Sequence, residues 1–347
     1  MTNSGSPERA FPQTDTTRML SLIHGNVRTF ELNLSGLRVI VPADNGSLAA
    51  AATIALVAGA ASVTAITPQT NRFRSAEEAA EATRALASVA GLSRNLSIEE
   101  RIDHQTCRTT NLLVSSDPVG PVTRSIVERL PDRAVVALMH EAWMLIRGEV
   151  DVEACREHDV PISAVNESHP LVGGAEYQPA LCLELFRAAE VSAANAAVAL
   201  ICDNPLADNL ERGLREAGAQ VAVFPRADLV FEHSWDAIVL ALRPLDEPRL
   251  GIRDLGVIAK AAPAATIIQY WGDIDRKAAR YFELSVWPPR TPGKGQWGLP
   301  LETLGAEPVL RRITGALKSA QLVLAGAPTQ PGGLAQVLTQ NDVFDSE

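Results

Sequence analysis

The stretch that most constrains the fold is Ala197–Arg226, AVALICDNPLADNLERGLREAGAQVAVFPR. It opens with an apolar run and a polar turn. An amphipathic helical segment follows, then Gly218-Ala219 and a second apolar run. Apolar runs of strand length that alternate with a helical period give a βαβ unit with parallel strands. This is the first arm of a nucleotide-binding domain. Its turn is unusual. A dinucleotide site needs a glycine-rich loop, so that backbone N–H groups can approach a pyrophosphate at a helix N-terminus. Here the loop reads Asp203-Asn204-Pro205-Leu206-Ala207-Asp208. Proline removes an N–H, the aspartates place negative charge where phosphate would lie, and Leu206 adds bulk.

The same signature occurs once more upstream. Leu37–Pro42 is a strand, Asp44-Asn45-Gly46 a turn, and Ser47 to about Ala58 a helix with Ser47 as N-cap. Gly59-Ala60 then leads into a strand over Ala61–Thr67. Each Gly-Ala pair follows its Asp-Asn pair by 15 residues. The pattern reads as two related βαβ units, one opening each half.

Between and after them, apolar runs give strands at Leu112–Ser115, Ala134–Met139, Ile162–Val165, Ala237–Ala241 and Thr266–Gln269. Helices are expected at Ser75–Ala90, Val122–Leu130, Val152–His158, Glu176–Ala189, Asp254–Ala261, Arg276–Tyr281 and Glu307–Leu324. The fold class is therefore α/β with two doubly wound parallel-sheet domains, the second Rossmann-like with a degenerate glycine-rich loop. The expected boundaries are an arm at 1–30, a first domain at 31–175 and a second at 176–325, its final helix packing back on the first. A tail at 326–347 frays from Thr329.

Composition narrows the function. With 347 residues and 46% hydrophobic content the chain can bury large cores. A net charge of −10 without a basic face argues against nucleic acid. The apolar run Ser47–Ala65 is Ala-rich and broken by Gly59, which fits a buried helix better than a membrane span. Cys107, Cys155, Cys182 and Cys202 have no C-x-x-C spacing, and the His/Asp/Glu set has no metal-ligand spacing. No disulfide framework or metal site is expected, and a cytoplasmic location follows. The expected partners are a small-molecule substrate and a second copy, as a homodimer or higher homo-oligomer.

Ligands of doubly wound sheets bind outside the carboxyl ends of the strands. Polar residues just after strands are thus the candidates. His140, Glu141, Glu167 and His169 are the acid/base candidates, because a histidine beside a carboxylate can move protons near neutrality. Asp203, Asn204, Asn166, Arg243, Tyr270, Trp271 and Asp273 are the cofactor-binding candidates. Tyr270-Trp271 would either stack a planar ring or serve as core aromatics. Arg226 would meet a 2′-phosphate, and the Pro/Gly loop that holds Trp287 and Trp297 reads as a lid, an interface or a purely structural loop.

The junction Val160-Pro161-Ile162-Ser163-Ala164-Val165-Asn166-Glu167-Ser168, the linking helix, and Glu216-Ala217-Gly218-Ala219-Gln220-Val221 resemble the S-adenosylhomocysteine hydrolase family. The family's lysine after this junction is replaced by His169-Pro170-Leu171, and its NAD loop by the acidic turn. The resemblance implies a two-domain protein that holds an adenosine-bearing ligand in an inter-domain cleft. By analogy with the pyridinol C-methyltransferases of iron-guanylylpyridinol cofactor assembly, it implies S-adenosylmethionine and small-molecule methyl transfer. The alternatives are an NAD(P)-dependent oxidoreductase or adenosylhomocysteinase-like enzyme, and a non-catalytic ligand-binding homologue.

Overall fold

The computed structural model describes residues 13–67, 76–293 and 295–338. The chain runs α1 (Gln13–Thr29), β1 (Arg38–Pro42), α2 (Ala50–Val57), β2 (Ser62–Ile66), α3 (Ala76–Val89), β3 (Leu96–Glu99), α4 (His104–Cys107), β4 (Leu112–Ser115), α5 (Arg124–Val127), β5 (Val135–Leu138), α6 (Val152–Glu157) and β6 (Ile162–Val165). It continues through α7 (Gly174–Ala188), β7 (Ala197–Ile201), α8 (Leu206–Glu216), β8 (Gln220–Phe224), β9 (Ala237–Ala241), α9 (Ile252–Ala261), β10 (Thr266–Trp271), α10 (Arg276–Tyr281) and β11 (Ser285–Trp287). It closes with α11 (Ala306–Leu324) and β12 (Ala335–Val337). Two compact units result. One lies within Met1–Val172 and Ala306–Glu347, the other is Gly173–Gly305.

The fold is α/β with two parallel sheets. The first unit's sheet has the order β12-β6-β5-β4-β1-β2-β3. All its pairings are parallel except that of β12 with β6. Without β12, this is the six-strand order of dinucleotide-binding domains, which reverses between β1 and β4. The second unit's sheet has the order β11-β10-β9-β7-β8, parallel throughout. It reverses between β7 and β9. Strands β4, β5, β6 and β9 are buried along their whole length, as helices on both faces of a parallel sheet require.

Several local expectations change. Ser47 does not cap a helix. It lies inside a 3-10 turn, Gly46–Ala49, with Asn45 at the cap position. The helix read over Val122–Leu130 is the single turn α5, after which Pro131 interrupts. Within the region expected as a polar arm, Gln13–Thr29 form a helix. The segment expected to fray from Thr329 supplies β12, whose edge is held by Asn166 N donating to Leu334 O at 2.9 Å. Strand β10 runs two residues further than Thr266–Gln269, which moves Tyr270 and Trp271 into the sheet. All four cysteines are free and buried. Among the described residues, no helix is long and apolar enough to cross a membrane. Residues 1–12 of the polar arm, Ser75, and residues 339–347 of the tail lie outside the described residues.

Candidate functional site

At the carboxyl edge of the first unit, β4 ends in Ser115, β5 leads to His140-Glu141, and β6 leads to Asn166-Glu167. Strand β4 pairs with β5 and β5 with β6, so these residues emerge side by side. Glu149 joins them from a loop. A turn at Gly148 (φ +87°) reverses the chain, and backbone bonds between Val122, Glu149 and Asp151 fix it.

His140 is held at both ring nitrogens. Nε2 lies 2.9 and 3.1 Å from the two Glu149 carboxylate oxygens, and Nδ1 lies 3.0 Å from the Glu141 carbonyl oxygen. Both neighbours are acceptors only, which fits a doubly protonated imidazolium. Burial alone would lower the imidazole's affinity for a proton. The adjacent Glu149 charge and its hydrogen bond outweigh burial, and the His140 pKa is raised above 6.5. Glu149 shows the converse. Burial would raise its pKa, but the His140 charge, with the Ser115 hydroxyl donating to Oε1 at 3.2 Å, lowers it below 4.5. The two shifts agree in sense: each favours the charged form of its group. The Ser116 hydroxyl, one residue beyond, is buried with no hydrogen-bond partner.

Two further carboxylates stand beside this pair. Glu141 Oε2 accepts from Trp143 Nε1 at 2.5 Å, and its Oε1 accepts from Ser168 N at 3.2 Å. Burial, reinforced by the Glu167 charge, raises its pKa despite those donors. Glu167 is completely buried. Arg312 of α11 brings Nε within 2.8 Å of Glu167 Oε1. That N–H is directed at Met139 O (2.7 Å), so the contact with Glu167 is an ion pair more than a directed hydrogen bond.

Of the acid/base candidates, the structure gathers His140, Glu141 and Glu167 here. His169 differs. Its Nδ1 accepts from Leu171 N at 3.3 Å and its backbone N–H bonds to Asn166 O, so it shapes its own turn. Asn166, a cofactor candidate, gives its amide to Gly333 O at 2.9 Å and accepts from Ser168 N at 3.0 Å. It ties β6 to the segment before β12. Sequence reading missed Glu149, Ser115 and Arg312. Glu149 follows no strand and Arg312 lies on a distant helix, so neither carries the after-strand signal.

In the second unit, Asp203 and Asn204 follow β7 and Arg243 follows β9, the two strands between which the order reverses. Asn204 donates to Ala241 O at 2.7 Å, and its side-chain oxygen accepts from Leu206 N at 3.2 Å. Ala207 N bonds to Asn204 O, and Pro205 occupies the cap position of α8. Asp203 pairs with Arg249 at 3.0 Å, and Arg249 also donates to the Arg243 carbonyl. The first N–H groups of α8 are thus taken or missing, and Leu206 fills the turn. This mouth does not fit a pyrophosphate. Arg226, considered for a 2′-phosphate, instead forks onto Asp228 at 2.8 and 2.9 Å.

The aromatic candidates are core residues, not a ring platform after a strand. Tyr270 is fully buried and stacks on Trp297 at 5.7 Å, and Trp271 donates its indole N–H to Gly295 O at 3.1 Å. Gly298 N donates to Tyr270 O, and a Cβ on Gly298 would stand 2.0 Å from Gln269 O. The Pro/Gly/Trp loop around Trp297 is therefore pinned onto β10 and is not a lid. Asp273 accepts from Leu250 N through its backbone carbonyl, just past Gly272 (φ +95°). Among the described residues, no cluster of three or more His, Cys, Asp or Glu could hold a metal.

No protein-family model and no curated protein matches the sequence. Solved structures do match. The dipicolinate synthase A chain from Bacillus subtilis aligns with a TM-score of 0.53 at 12% identity, over 85% of this chain and 99% of that one. The pyruvate reductase of Chlamydomonas reinhardtii aligns at 0.51 and 14%, over 85% and 98%. A glyoxylate reductase from Paecilomyes thermophila aligns at 0.51 and 14%, over 88% and 99%. The likeness is one of fold: α/β with two parallel, Rossmann-like sheets. The expectation of an S-adenosylmethionine-dependent methyltransferase is overturned by these neighbours. Those similar in fold over nearly their whole length include reductases, and nothing at the sequence level supports methyl transfer.

Proposed function

We propose that this chain is a small-molecule enzyme of the oxidoreductase kind, with a compact oxygenated substrate such as a 2-oxo acid and His140 as proton donor. The observation that carries this reading is the His140 ring held between the Glu149 carboxylate and the Glu141 carbonyl. A carbonyl oxygen that gains electron density on reduction needs a proton, and a histidine whose proton affinity is raised by an adjacent carboxylate is suited to hold one and give it. The Nε2–H is shared between two Glu149 oxygens, and the two side chains remain 16% and 18% exposed. A substrate oxygen can take the place of one of them. Once Nε2 has given up its proton, Nδ1–H still bonds to Glu141 O, which keeps the ring oriented. Arg312 and Glu141 would position the surrounding loops. The folds shared with a pyruvate reductase and a glyoxylate reductase support the same class.

NAD(P) is the cofactor such folds imply, and the β7–α8 turn gives its pyrophosphate no cradle. That turn favours a second reading, in which the chain binds a small ligand without redox turnover. The test is consumption of NADH or NADPH with glyoxylate and pyruvate as probes, alongside calorimetry of each dinucleotide. Turnover that falls about 10²–10⁴-fold in His140→Gln, with little change in KM, is expected. Absence of both dinucleotide binding and turnover would contradict the oxidoreductase reading and leave the second.

A further inference from the structure

We infer that the open edge of β8 is a two-fold interface at which a second copy of this chain pairs strand to strand. In the first unit, the strand beside β1 is β2, and β3 covers its outer edge. In the second unit, the strand beside β7 is β8, and among the described residues the sheet stops there. Asn195 N, Gln220 N and Cys202 N bond across to Gly218 O, Ala196 O and Phe224 O. Alternation along a strand then turns the backbone groups of Val221 and Val223 outward. Val221 O is met by the Arg215 guanidinium at 3.2 Å.

Such an edge is normally blunted by a lysine, a proline, a bulge or a covering segment. The sequence of β8, Gln-Val-Ala-Val-Phe, carries no lysine or proline, and its pairing with β7 is unbroken over five residues. Exposed apolar side chains lie alongside: Val223 at 36%, Leu229 at 48% and Phe231 at 55%. Phe231 leans on Phe224 and Trp235, at ring distances of 5.6 and 5.5 Å, so it is a firm surface.

A second copy is the occupant that this edge fits. Two β8 strands meeting antiparallel about a two-fold axis near Val223 can exchange outward N–H and C=O groups with the same residues of the other copy. The interface is then self-complementary. The chain carries a net charge of −10, which opposes self-association elsewhere on its surface. Beside β8, though, Arg215 is paired with Glu211 and Arg226 with Asp228, so each copy brings its charges already matched. Five paired residues bury less than the roughly 800 Å² per partner of a stable interface. Leu229 and Phe231 must therefore be covered as well.

The experiment is sedimentation equilibrium of the full chain over a range of concentrations, with hydrogen exchange of the Val221 and Val223 amides. A reversible dimer with slowed exchange at both amides is expected. Val223→Lys and Phe231→Glu should each raise the dissociation constant at least about tenfold with unchanged circular dichroism. Val89→Glu, on the equally exposed end of α3, should not. Three results would overturn the inference. They are a monomer with fast exchange, a monomer with slow exchange (the edge then being covered by the chain itself), and a dimer that neither substitution weakens.

Discussion

The carboxyl edges of the two sheets are built from similar sequence and reach opposite ends. Both open with an apolar strand, an Asp-Asn pair and a helix that ends in Gly-Ala, with Gly59 at φ +89° and Gly218 at φ +92°. In both, the N–H after that glycine bonds back into the last helical turn, Ala60 to Ala55 O and Ala219 to Leu214 O. Downstream they diverge. The second unit spends Asn204, Asp203 and Arg249 on closing its own turn with neutral bonds and one partly exposed ion pair. The first unit withdraws more of its charge from solvent: His140 with Glu149, at 16% and 18% exposure, and the fully buried Glu167 with Arg312. Burying ionised groups costs several kcal/mol each unless geometry repays it. Keeping them at strand ends, where ligands of such sheets bind, is the feature on which the proposed role of His140 rests.

The sharpest way to break the comparison is to remove one arginine from each edge. Arg312→Met leaves the fully buried Glu167 without its counter-charge and should cost about 3–5 kcal/mol in chemical denaturation. Arg249→Met removes the partner of an Asp203 side chain that is 35% exposed, and should cost no more than about 1 kcal/mol. Equal losses would show that the edges are not different in kind.

Next come the two asparagines. Asn204→Ala strips a donor from Ala241 O and an acceptor from Leu206 N, and should cost about 1–2 kcal/mol. Asn45→Ala should change stability by less than about 0.5 kcal/mol, because no side-chain bond of Asn45 caps the turn that follows it. Thermal unfolding of the two variants checks this order.

A smaller effect lies in pH. A raised His140 pKa contributes stability that is complete below 6.5 and is lost as pH rises through the higher folded value. A lowered Glu149 pKa contributes stability that is complete above 4.5 and is lost as pH falls through the lower folded value. The pair therefore contributes most between 4.5 and 6.5. Melting temperatures of wild type and Glu149→Gln across that window should differ most inside it and converge on either side. Burial holds Glu141 above 4.5, so it works against the pair as pH rises, and Glu141→Gln should lift the alkaline side slightly.

The elements were legible where local pattern decides them. Strands β1, β4, β6 and β9 and helix α8 follow from apolar runs and amphipathic period, and the closed β7–α8 turn follows from Pro205 and Leu206. What escaped depends on partners distant in sequence. Strand β12 is short and is defined only by its pairing with β6. Tyr270 and Trp271 read as residues after a strand because Gln269 looks like its end. Gln269 is in fact buried, with its amide satisfied by Gly272 O, so the strand continues. In the same way, His140 was legible as a residue after a strand. Its state was not, because Glu149 and Ser115 reach it only through the fold.

The most direct measurement is a nuclear magnetic resonance titration of the His140 ring in wild type and in Glu149→Gln. The account predicts an imidazolium that carries both protons and titrates above 6.5, and a titration at or below 6.5 once Glu149 loses its charge and burial dominates. A neutral His140 that titrates at or below 6.5 in the wild type, unmoved by Glu149→Gln, would contradict it.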